Sequence, residues 1–459
     1  MNNPVDIPFW LLALLVILAA IAVLDRLLLP SVRWYLRRRL NKVVERLNDR
    51  LQLHIQPFKL TRRKVMIDRL INDPAVMEAV IEHAHTEEIP EEIARNTAER
   101  YAREIVPSFS ASTYFGFAIR ASRFISNAFY RVRLGFMDDD ALRNVDPDST
   151  VVFVMNHRSN MDYVLVTFLV AERSALSYAV GEWARVWPLQ QLIRAMGAYF
   201  IRRKSRNPLY RRVLARYVQL ATQGGVTQAI FPEGGLSRDG TLGEPKLGLL
   251  SYILGDFDPE TSRDVVFIPV GLNYDRVLED RVLTSPSGDG KRRFRFQPLV
   301  FAGFALKQIW LRMTGRFYRF GYACVSFGEP VSLKKFIASE NTGDPQSITA
   351  NLGETLIGKI AKVVPVLPVS LVSKVLLDAD TPLPMLEIKA RCNRHWQELA
   401  SRDIYSHVPR ADEDYAVEVG LRMLTLRHMA QEKDGLYSVD PANRSLVAYY
   451  ANAIAHHFQ

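Results

Sequence analysis

A histidine and an aspartate five positions apart follow a short apolar run in the first half of the chain. The run, residues 151–155, is rich in β-branched side chains and predicts a buried strand, and the apolar pattern after position 162 predicts a helix. His157 then lies at the carboxyl end of the strand, and Asp162 lies in the first helical turn, where its carboxylate can orient the imidazole. The pair predicts a general base with its orienting partner; the alternative is a loop histidine beside a capping aspartate.

Short apolar runs alternate with helical patterns between residues 151 and 330. This alternation predicts an α/β domain in which helices flank a largely parallel sheet, with ligands bound beyond the carboxyl ends of the strands. The further predicted strands lie near 176–180, 198–201, 226–231, 265–270 and 321–327, and the predicted helices at 160–172, 186–196, 207–222 and 300–312.

Two further loops leave predicted strands with residues suited to binding an anion. The first follows Phe200 with the cations Arg202, Arg203 and Lys204, and the second is glycine-rich and begins at residue 231. Glycine lets backbone N–H groups approach an anion closely, and the arginine fork matches phosphate. Each loop by itself is equally typical of a solvated turn. The candidate residues of the second loop and the segment after it are Glu233, Gly234, Gly235, Ser237, Arg238 and Lys246.

The order of four motifs resembles the glycerolipid acyltransferase superfamily. They are Asn-His-x4-Asp from residue 156, Gly-Ala-Tyr-Phe-Ile-Arg-Arg from 197, Phe-Pro-Glu-Gly-Gly-x-Ser-Arg from 231 and Ile-Pro-Val-x-x-x-Tyr-Asp from 268. Within the superfamily the chain is most similar to the glycerol-3-phosphate acyltransferases, because of Phe-Ile-Arg-Arg, the doubled glycine and a C-terminal segment at 449–458. The resemblance covers roughly residues 150–330 and, more loosely, the C-terminal segment.

The resemblance implies an acyltransferase-type α/β fold and transfer of a fatty acyl group to the sn-1 hydroxyl of glycerol 3-phosphate, giving lysophosphatidate. That is the first step of phospholipid synthesis. His157 would take the hydroxyl proton while Asp162 stabilises the imidazolium. The donor would be acyl-CoA or acyl carrier protein, with no cofactor or metal. The implied substrate-binding residues are Phe200, Arg202, Arg203, Glu233, Gly234, Gly235, Ser237, Arg238 and Lys246.

One position departs from the family pattern. Leu236 stands where the third motif usually carries its first arginine, which weakens the assignment of phosphate binding to that loop. Two alternatives therefore stay open: an acyltransferase whose acceptor is lysophosphatidate, and a weakly active lipid-binding membrane protein. Nucleic-acid binding is disfavoured because the cations accompany a candidate membrane anchor and no known binding module.

The net charge limits the expected partners, and the cysteine content limits the expected disulfides and metal sites. The 459 residues carry a formal net charge of +10, which predicts an acidic partner such as anionic phospholipid, a phosphorylated small molecule or an acidic carrier. Cys324 and Cys392 lie far apart in the sequence and outside any metal-ligand spacing, so neither a disulfide framework nor a zinc site is predicted.

The N-terminal segment predicts a membrane anchor. Residues 7–24 carry no charge, and an arginine-rich stretch follows at 33–50. The uncharged run predicts attachment to the cell (inner) membrane, and the positive-inside rule predicts that the catalytic domain lies on its cytoplasmic side. A cleaved signal peptide and a buried helix are the alternative interpretations; the residues before position 7 contain no Lys or Arg, which argues against the signal peptide.

Four segments are expected: an anchor at 1–30, a helical region at 31–140, the catalytic domain at 141–330 and a helical region at 331–459. No strand signal is found from 31 to about 135. The aromatic and arginine pattern between 114 and 133 predicts a helix packed on a core or, alternatively, an interfacial helix on lipid headgroups. The apolar run 363–377 is predicted to be core or the wall of a groove, and His456 and His457 are predicted to be structural.

Overall fold

The computed structural model describes residues 56–170, 175–181, 189–202, 205–285, 310, 314, 320–340 and 343–459. Residues Ile55–Gln459 form one compact unit, and residues 1–54 lie outside the described residues. The predicted anchor at 1–30 and most of the predicted helix at 300–312 therefore also lie outside them. Within the described ranges no helix has both the length and the apolar character to cross a membrane.

A mixed sheet of eight strands organises the described unit, in the order β1-β7-β6-β2-β5-β3-β4 with β8 paired to β6. The strands β6, β2, β5, β3 and β4 are mutually parallel, whereas β7 and β8 run antiparallel to β6. The bounds are β1 Arg131–Met137, β2 Thr150–Met155, β3 Ser177–Val180, β4 Tyr199–Phe200, β5 Gln228–Ile230, β6 Val265–Tyr274, β7 Tyr322–Phe327 and β8 Val331–Ser332. The predicted α/β class with a largely parallel sheet is confirmed.

Helices precede, separate and follow these strands. Those before and within the catalytic part are α1 Pro57–Leu60, α2 Arg63–Ile71, α3 Pro74–Thr86, α4 Glu91–Ile105, a π-helix Ser112–Ala118, α5 Ile119–Phe129, α6 Asp139–Arg143, α7 Met161–Val170, α8 Leu189–Ala195, α9 Pro208–Gln223, α10 Gly248–Leu254 and α11 Asp280–Leu283. Those near the C-terminus are α12 Leu333–Ser339, α13 Pro345–Val363, α14 Pro368–Leu377, α15 Met385–Ser401, α16 Glu413–Leu426 and α17 Arg444–Asn452, with short 3-10 turns at Pro409–Ala411, Pro441–Asn443 and Ala455–Phe458.

One hydrophobic core joins a face of the sheet to α2, α3, α4, α9, α10 and α13. Every residue of β2 is buried, as is typical of a central strand covered on both faces. α5 packs against α7, and α14 packs against α16 and α17. Because eight of the ten residues of α14 are buried, the prediction that the run 363–377 belongs to the core is confirmed there.

Two strand predictions were wrong. The region before residue 135 is not purely helical, because β1 pairs in parallel with β7, about 190 positions later in the chain. The C-terminal region is not purely helical either, because β9 Leu383–Pro384, β10 Ala430–Lys433 and β11 Leu436–Val439 form a small antiparallel sheet. Its hairpin turns at Asp434 and Gly435, both with positive φ. The strands β10 and β11 are short, the first mostly exposed and the second mostly half-buried, so neither buries alternate residues.

The adjacent C-terminal histidines hold the end of the chain to α13. Nε2 of His456 lies 3.0 Å from the Ala361 carbonyl oxygen, and Nε2 of His457 lies 2.8 Å from that of Val364. Their predicted structural role is confirmed. Burial, together with the neighbouring His457, lowers the pKa of His456 to about 3, so the folded protein keeps this ring neutral.

This lowered pKa predicts an acid-sensitive contribution to stability. The unfolded chain binds a proton at His456 near its ordinary pKa of about 6.5, which the folded chain does not, so the free energy of unfolding falls as pH decreases below about 6.5. His456→Gln keeps an N–H donor for Ala361 and removes the titration. We expect its denaturation midpoint to fall less between pH 7.5 and 5.5 than that of the unsubstituted protein. An unchanged pH dependence would contradict this assignment.

Candidate active site

The imidazole of His157 and the carboxylate of Asp162 are in direct contact. Nδ1 of His157 lies 2.9 Å from Oδ2 of Asp162, and both side chains are almost fully buried. A carboxylate partner at Nδ1 favours the tautomer that carries its proton there and leaves Nε2 as a base. Within the described part of the chain, Nε2 of His157 has no hydrogen-bond partner. The predicted orienting contact is thus present.

Asp162 is held by donors on both of its carboxylate oxygens. Besides the imidazole, Oδ2 accepts the backbone N–H groups of Arg158 at 2.8 Å and Ser159 at 3.0 Å. Oδ1 accepts the phenol of Tyr274 at 2.6 Å. Burial and the neighbouring Asp162 raise the pKa of Tyr274 well above its ordinary value, so the phenol stays protonated and donates. The carboxylate therefore links the loop, α7 and the end of β6.

The loop before α7 is fixed to the neighbouring strand β6 by Asn156. Its side-chain amide donates to the Leu272 carbonyl at 2.9 Å and accepts the Leu272 N–H at 2.8 Å. This pair imitates one more step of the strand ladder between β2 and β6, which are parallel up to Met155. The position of His157 is consequently set by the sheet itself.

Glu233 ties the histidine loop to the glycine-rich loop. Its Oε1 accepts the backbone N–H of His157 and its Oε2 accepts that of Gly243, each at 2.9 Å. Burial raises the pKa of Glu233, while these two N–H groups and the charge of Arg158 lower it in part. Its contacts are those of a positioning residue, and the predicted contact with substrate stays a prediction.

Aromatic rings pack around the imidazole. The ring of Phe231 is stacked on His157 with centroids 4.0 Å apart, and Tyr163 meets it edge-on at 5.6 Å. Phe231 follows β5 directly, so a second parallel strand contributes to the site at its carboxyl end. Such packing restricts rotation of the imidazole about its side-chain bonds.

The start of α7 is held by Glu279, which sequence reasoning missed. Its carboxylate accepts the Ser159 hydroxyl at 2.8 Å and both the backbone and side-chain N–H groups of Asn160, at 3.2 and 2.9 Å. Ser159 Oγ in turn accepts the N–H of Met161 and so caps the helix. Nothing in the local sequence around Glu279 identifies it, because its partners lie about 120 positions earlier.

The glycine-rich loop forms a tight turn beside the histidine. Gly234 has φ +70°, which disfavours any residue with a Cβ, and its N–H donates to the Phe231 carbonyl at 3.0 Å. Gly235 follows it in the turn. The Ser237 hydroxyl donates to the Thr241 carbonyl at 2.9 Å and its N–H donates to the His157 carbonyl at 3.0 Å, so Ser237 holds the loop in shape.

The predicted phosphate-binding cations differ in their surroundings. Arg238 and Lys246 are exposed near the glycine turn, and no hydrogen-bond partner is described for either side chain. Arg202 instead forms a bidentate pair with Glu104 at 2.8 and 2.6 Å, which raises its pKa. The guanidinium of Arg202 therefore already has a carboxylate partner. Its predicted role in binding phosphate stays a prediction. Arg203 lies outside the described residues.

Phe200 is fully buried in β4, and the guanidinium of Arg194 lies 5.3 Å from the centroid of its ring. Its described surroundings are those of a core residue. The predicted contact of Phe200 with substrate therefore stays a prediction.

A buried arginine next to the histidine joins the C-terminal helix α17 to the site. The guanidinium of Arg158 lies 4.4 Å from the centroid of the Tyr449 ring and donates to the Gly240 carbonyl at 2.6 Å. The Tyr449 phenol in turn donates to the Arg158 carbonyl at 3.3 Å. Nε and Nη2 of Arg158 have no hydrogen-bond partner among the described residues, so the aromatic ring is a major contact for this charge.

Two family models match the chain in adjacent regions. Residues 138–273 match the acyltransferase model, and residues 311–459 match the model of the glycerol-3-phosphate acyltransferase C-terminal region. The first match contains the His157 and Asp162 pair, and the second contains Tyr449.

Curated relatives agree with these matches. A glycerol-3-phosphate acyltransferase of Pseudomonas putida (strain W619) is 29% identical over 423 residues, 87% of this chain and 49% of the relative. Another from Pseudomonas fluorescens (strain Pf0-1) is 28% identical over 436 residues, 89% of this chain and 51% of the relative. The chain thus spans about half the length of the curated relatives it matches.

A solved structure, the 1-acyl-sn-glycerophosphate (LPA) acyltransferase PlsC from Thermotoga maritima, is 18% identical and covers 58% of this chain and 82% of its own. Its TM-score of 0.32 is too low to support an argument about fold.

The site and the first family match define an acyltransferase domain. With the C-terminal region matched as well, the chain is similar to the glycerol-3-phosphate acyltransferases over both regions, and the resemblance predicted from its four ordered motifs is confirmed.

The contact between Tyr449 and Arg158 predicts that α17 positions the catalytic loop. Tyr449→Phe keeps the ring under the guanidinium and should leave turnover of an acyl thioester within about twofold of the unsubstituted chain, whereas Tyr449→Leu removes the ring and should lower kcat by about tenfold. The melting temperature of each variant separates loss of folding from loss of positioning. Equal activity of the two variants would contradict the role given to the ring.

Proposed function

We propose that the chain moves a fatty acyl group from an acyl thioester to the sn-1 hydroxyl of glycerol 3-phosphate and so forms lysophosphatidate. The observation that carries this proposal is the Nδ1 contact of His157 with Asp162, which leaves Nε2 of a buried imidazole without a described partner. The proposal extends to this chain the activity for which its relatives are named, and those relatives are about twice the length of the matched segment.

His157 acts in this proposal as the general base. Nε2 takes the proton of the acceptor hydroxyl as its oxygen attacks the thioester carbonyl carbon, and the carboxylate of Asp162 stabilises the imidazolium. A C–O bond forms and the C–S bond breaks when the tetrahedral intermediate collapses. The imidazolium then returns the proton to the departing thiolate. Direct transfer needs no acyl-enzyme, and the Ser159 hydroxyl is already committed to Glu279 and to the cap of α7.

Arg238 and Lys246 are the proposed phosphate ligands within the described part of the chain. Both are exposed, Lys246 lies against Gly234, and Arg238 follows that glycine by four positions in the same loop, so a small anionic acceptor bound there would meet two cations. Arg203, the neighbour of Arg202 in the sequence, is proposed as a third ligand on the resemblance alone. Leu236 is partly buried in this loop and supplies no charge.

The donor and the location belong to the proposal as well. Acyl-CoA and acyl carrier protein are both acidic, and the net charge of +10 suits either of them and an anionic phospholipid surface. The uncharged run 7–24 with its basic flank supports attachment to the inner membrane with the catalytic domain in the cytoplasm.

The role of His157 is tested by removing the base. His157→Ala should lower the single-turnover rate of acyl transfer by at least about 100-fold, and Asp162→Asn by a smaller factor, with folding retained. Circular dichroism and thermal melting of the purified variants check the fold. Turnover of purified His157→Ala at the unsubstituted rate would refute the mechanism.

The acceptor is tested with a panel of alcohols and one labelled acyl thioester. We expect acylation of glycerol 3-phosphate and none of glycerol, which lacks the phosphate that Arg238 and Lys246 would bind. Acylation of lysophosphatidate without acylation of glycerol 3-phosphate would transfer the assignment to the alternative acceptor. Specific binding of lipid with no turnover of any acceptor would instead favour the lipid-binding alternative.

The two exposed cations are tested by charge removal. Arg238→Ala and Lys246→Ala should each raise the KM for glycerol 3-phosphate by about tenfold, as is typical for loss of one charge-assisted contact. Arg212→Ala, which removes an exposed arginine on α9, is the matched control and should leave KM unchanged. If neither substitution changes the KM more than the control does, another group binds the phosphate.

A further inference from the structure

The segment before β1 fully buries one large aromatic side chain, Tyr114, and leaves two others exposed. Its inward side carries the small residues Ala118, Ser122 and Ser126, all nearly fully buried where α5 packs on α7. Its outward side carries Phe117 and Phe124, whose exposed fractions are 55% and 70%. A helix that packs on a protein core usually buries its large apolar side chains, and these two phenylalanines instead form an apolar surface that the described core does not cover.

Arginines accompany these phenylalanines. Arg120 and Arg123 are exposed between Phe117 and Phe124 in the sequence, and the guanidinium of Arg123 lies 5.4 Å from the centroid of the Phe168 ring on α7. The following strand β1 adds the exposed side chains of Leu134 (43%) and Phe136 (47%). We name the set Phe117, Arg120, Arg123 and Phe124 the Phe-Arg face.

We propose that the Phe-Arg face docks on the surface of an anionic bilayer, with its two phenylalanines between the lipid headgroups and its arginines on the lipid phosphates. Large aromatic side chains beside arginines on one exposed helix side are typical of helices that lie in the membrane interface. The phenylalanines are seven positions apart, which corresponds to about 10 Å along a helix and matches a flat surface rather than a single pocket. Arginine supplies the charge complementarity to phosphate.

An acidic acyl carrier protein is the competing occupant. Its surface would match Arg120 and Arg123, but it would have to cover the phenylalanines, of which Phe124 is 70% exposed. A bilayer surface offers an apolar contact to the phenylalanines and phosphate groups to the arginines, so the observations favour lipid.

Docking by this face would bring the membrane surface close to the catalytic pair. α5 packs on α7, and the first turn of α7 carries Asp162. The lipid-bound surface would therefore be one helix away from the catalytic pair. This inference deepens the proposed function, but its test measures position relative to lipid and does not require turnover.

The test places an environment-sensitive fluorophore on the face in the full chain. Phe124→Cys carries the label, and Ile93→Cys on α4 is the matched control, because Ile93 is 52% exposed but follows the exposed acids Glu91 and Glu92. The native Cys324 and Cys392 are buried and should not react in the folded protein. Both labelled proteins are floated with phosphatidylglycerol-containing vesicles, and emission is recorded with and without nitroxide-bearing lipid.

We expect the label at position 124 to shift to shorter wavelength and to be quenched by the nitroxide lipid, and the label at 93 to do neither. Arg120→Glu combined with Arg123→Glu should reduce the quenching at 124 by at least half. A chain that does not float, or a floating chain whose label at 124 stays in water, would overturn the proposal. A response at 124 to acidic acyl carrier protein but not to vesicles would assign the face to that protein instead.

Acylation of glycerol 3-phosphate in detergent is measured on the same preparations. This assay separates the proposed acyltransferase function from the docking of the Phe-Arg face. Loss of activity while the label still enters lipid would count against the function alone, and an active enzyme whose label stays in water would count against the docking alone.

Discussion

The buried carboxylate of Asp162 is the interaction on which the arrangement of the site depends. It accepts hydrogen bonds from the imidazole of His157, two backbone N–H groups and the Tyr274 phenol, and it is inaccessible to solvent. A buried carboxylate that lost these donors would be strongly destabilising. The donors come from the loop after β2 and from the end of β6, so the fold must bring these two segments together before the charge can be buried.

This requirement explains why the same sheet edge serves several loops. β2, β5 and β6 are parallel, so their carboxyl ends deliver the histidine loop, the glycine-rich loop and Tyr274 to one place. Glu233 then holds the backbone of His157 from the second loop, and Asn156 holds the first loop to β6. The geometry of the histidine is thus over-determined by contacts that are independent of any substrate.

Sequence patterns predicted the strands and the one site contact that depend on residues close together in the sequence. The alternation of apolar runs identified β2 to β7, and the spacing of His157 and Asp162 identified their contact because both residues follow one strand. The sequence patterns did not predict contacts between residues that are distant in the sequence. Arg202 meets Glu104 across 98 positions, and Glu279 meets Ser159 across 120. Those pairings depend on how helices and strands pack together, and the spacing of apolar residues within a single helix or strand does not encode this.

The strand β1 was missed for a related reason. Its alternation of arginines with Val132 and Leu134 has the period of a strand, but it is short and follows the preceding helix directly, and pairing with β7 establishes it as a strand. Strand propensity is weak without a partner, because most of what stabilises a strand comes from its neighbours.

The contacts of α17 argue that the two matched regions form one catalytic unit. Tyr449 packs on Arg158, which adjoins His157, and Asn452 donates to the Asp239 carbonyl at 2.9 Å. The Tyr450 phenol accepts the N–H of Val277 at 3.0 Å, three residues after Tyr274. The C-terminal helix therefore touches the histidine loop, the glycine-rich loop and the segment after β6. Because these are the three segments that hold the imidazole, residues far along the chain are part of what fixes the base in place.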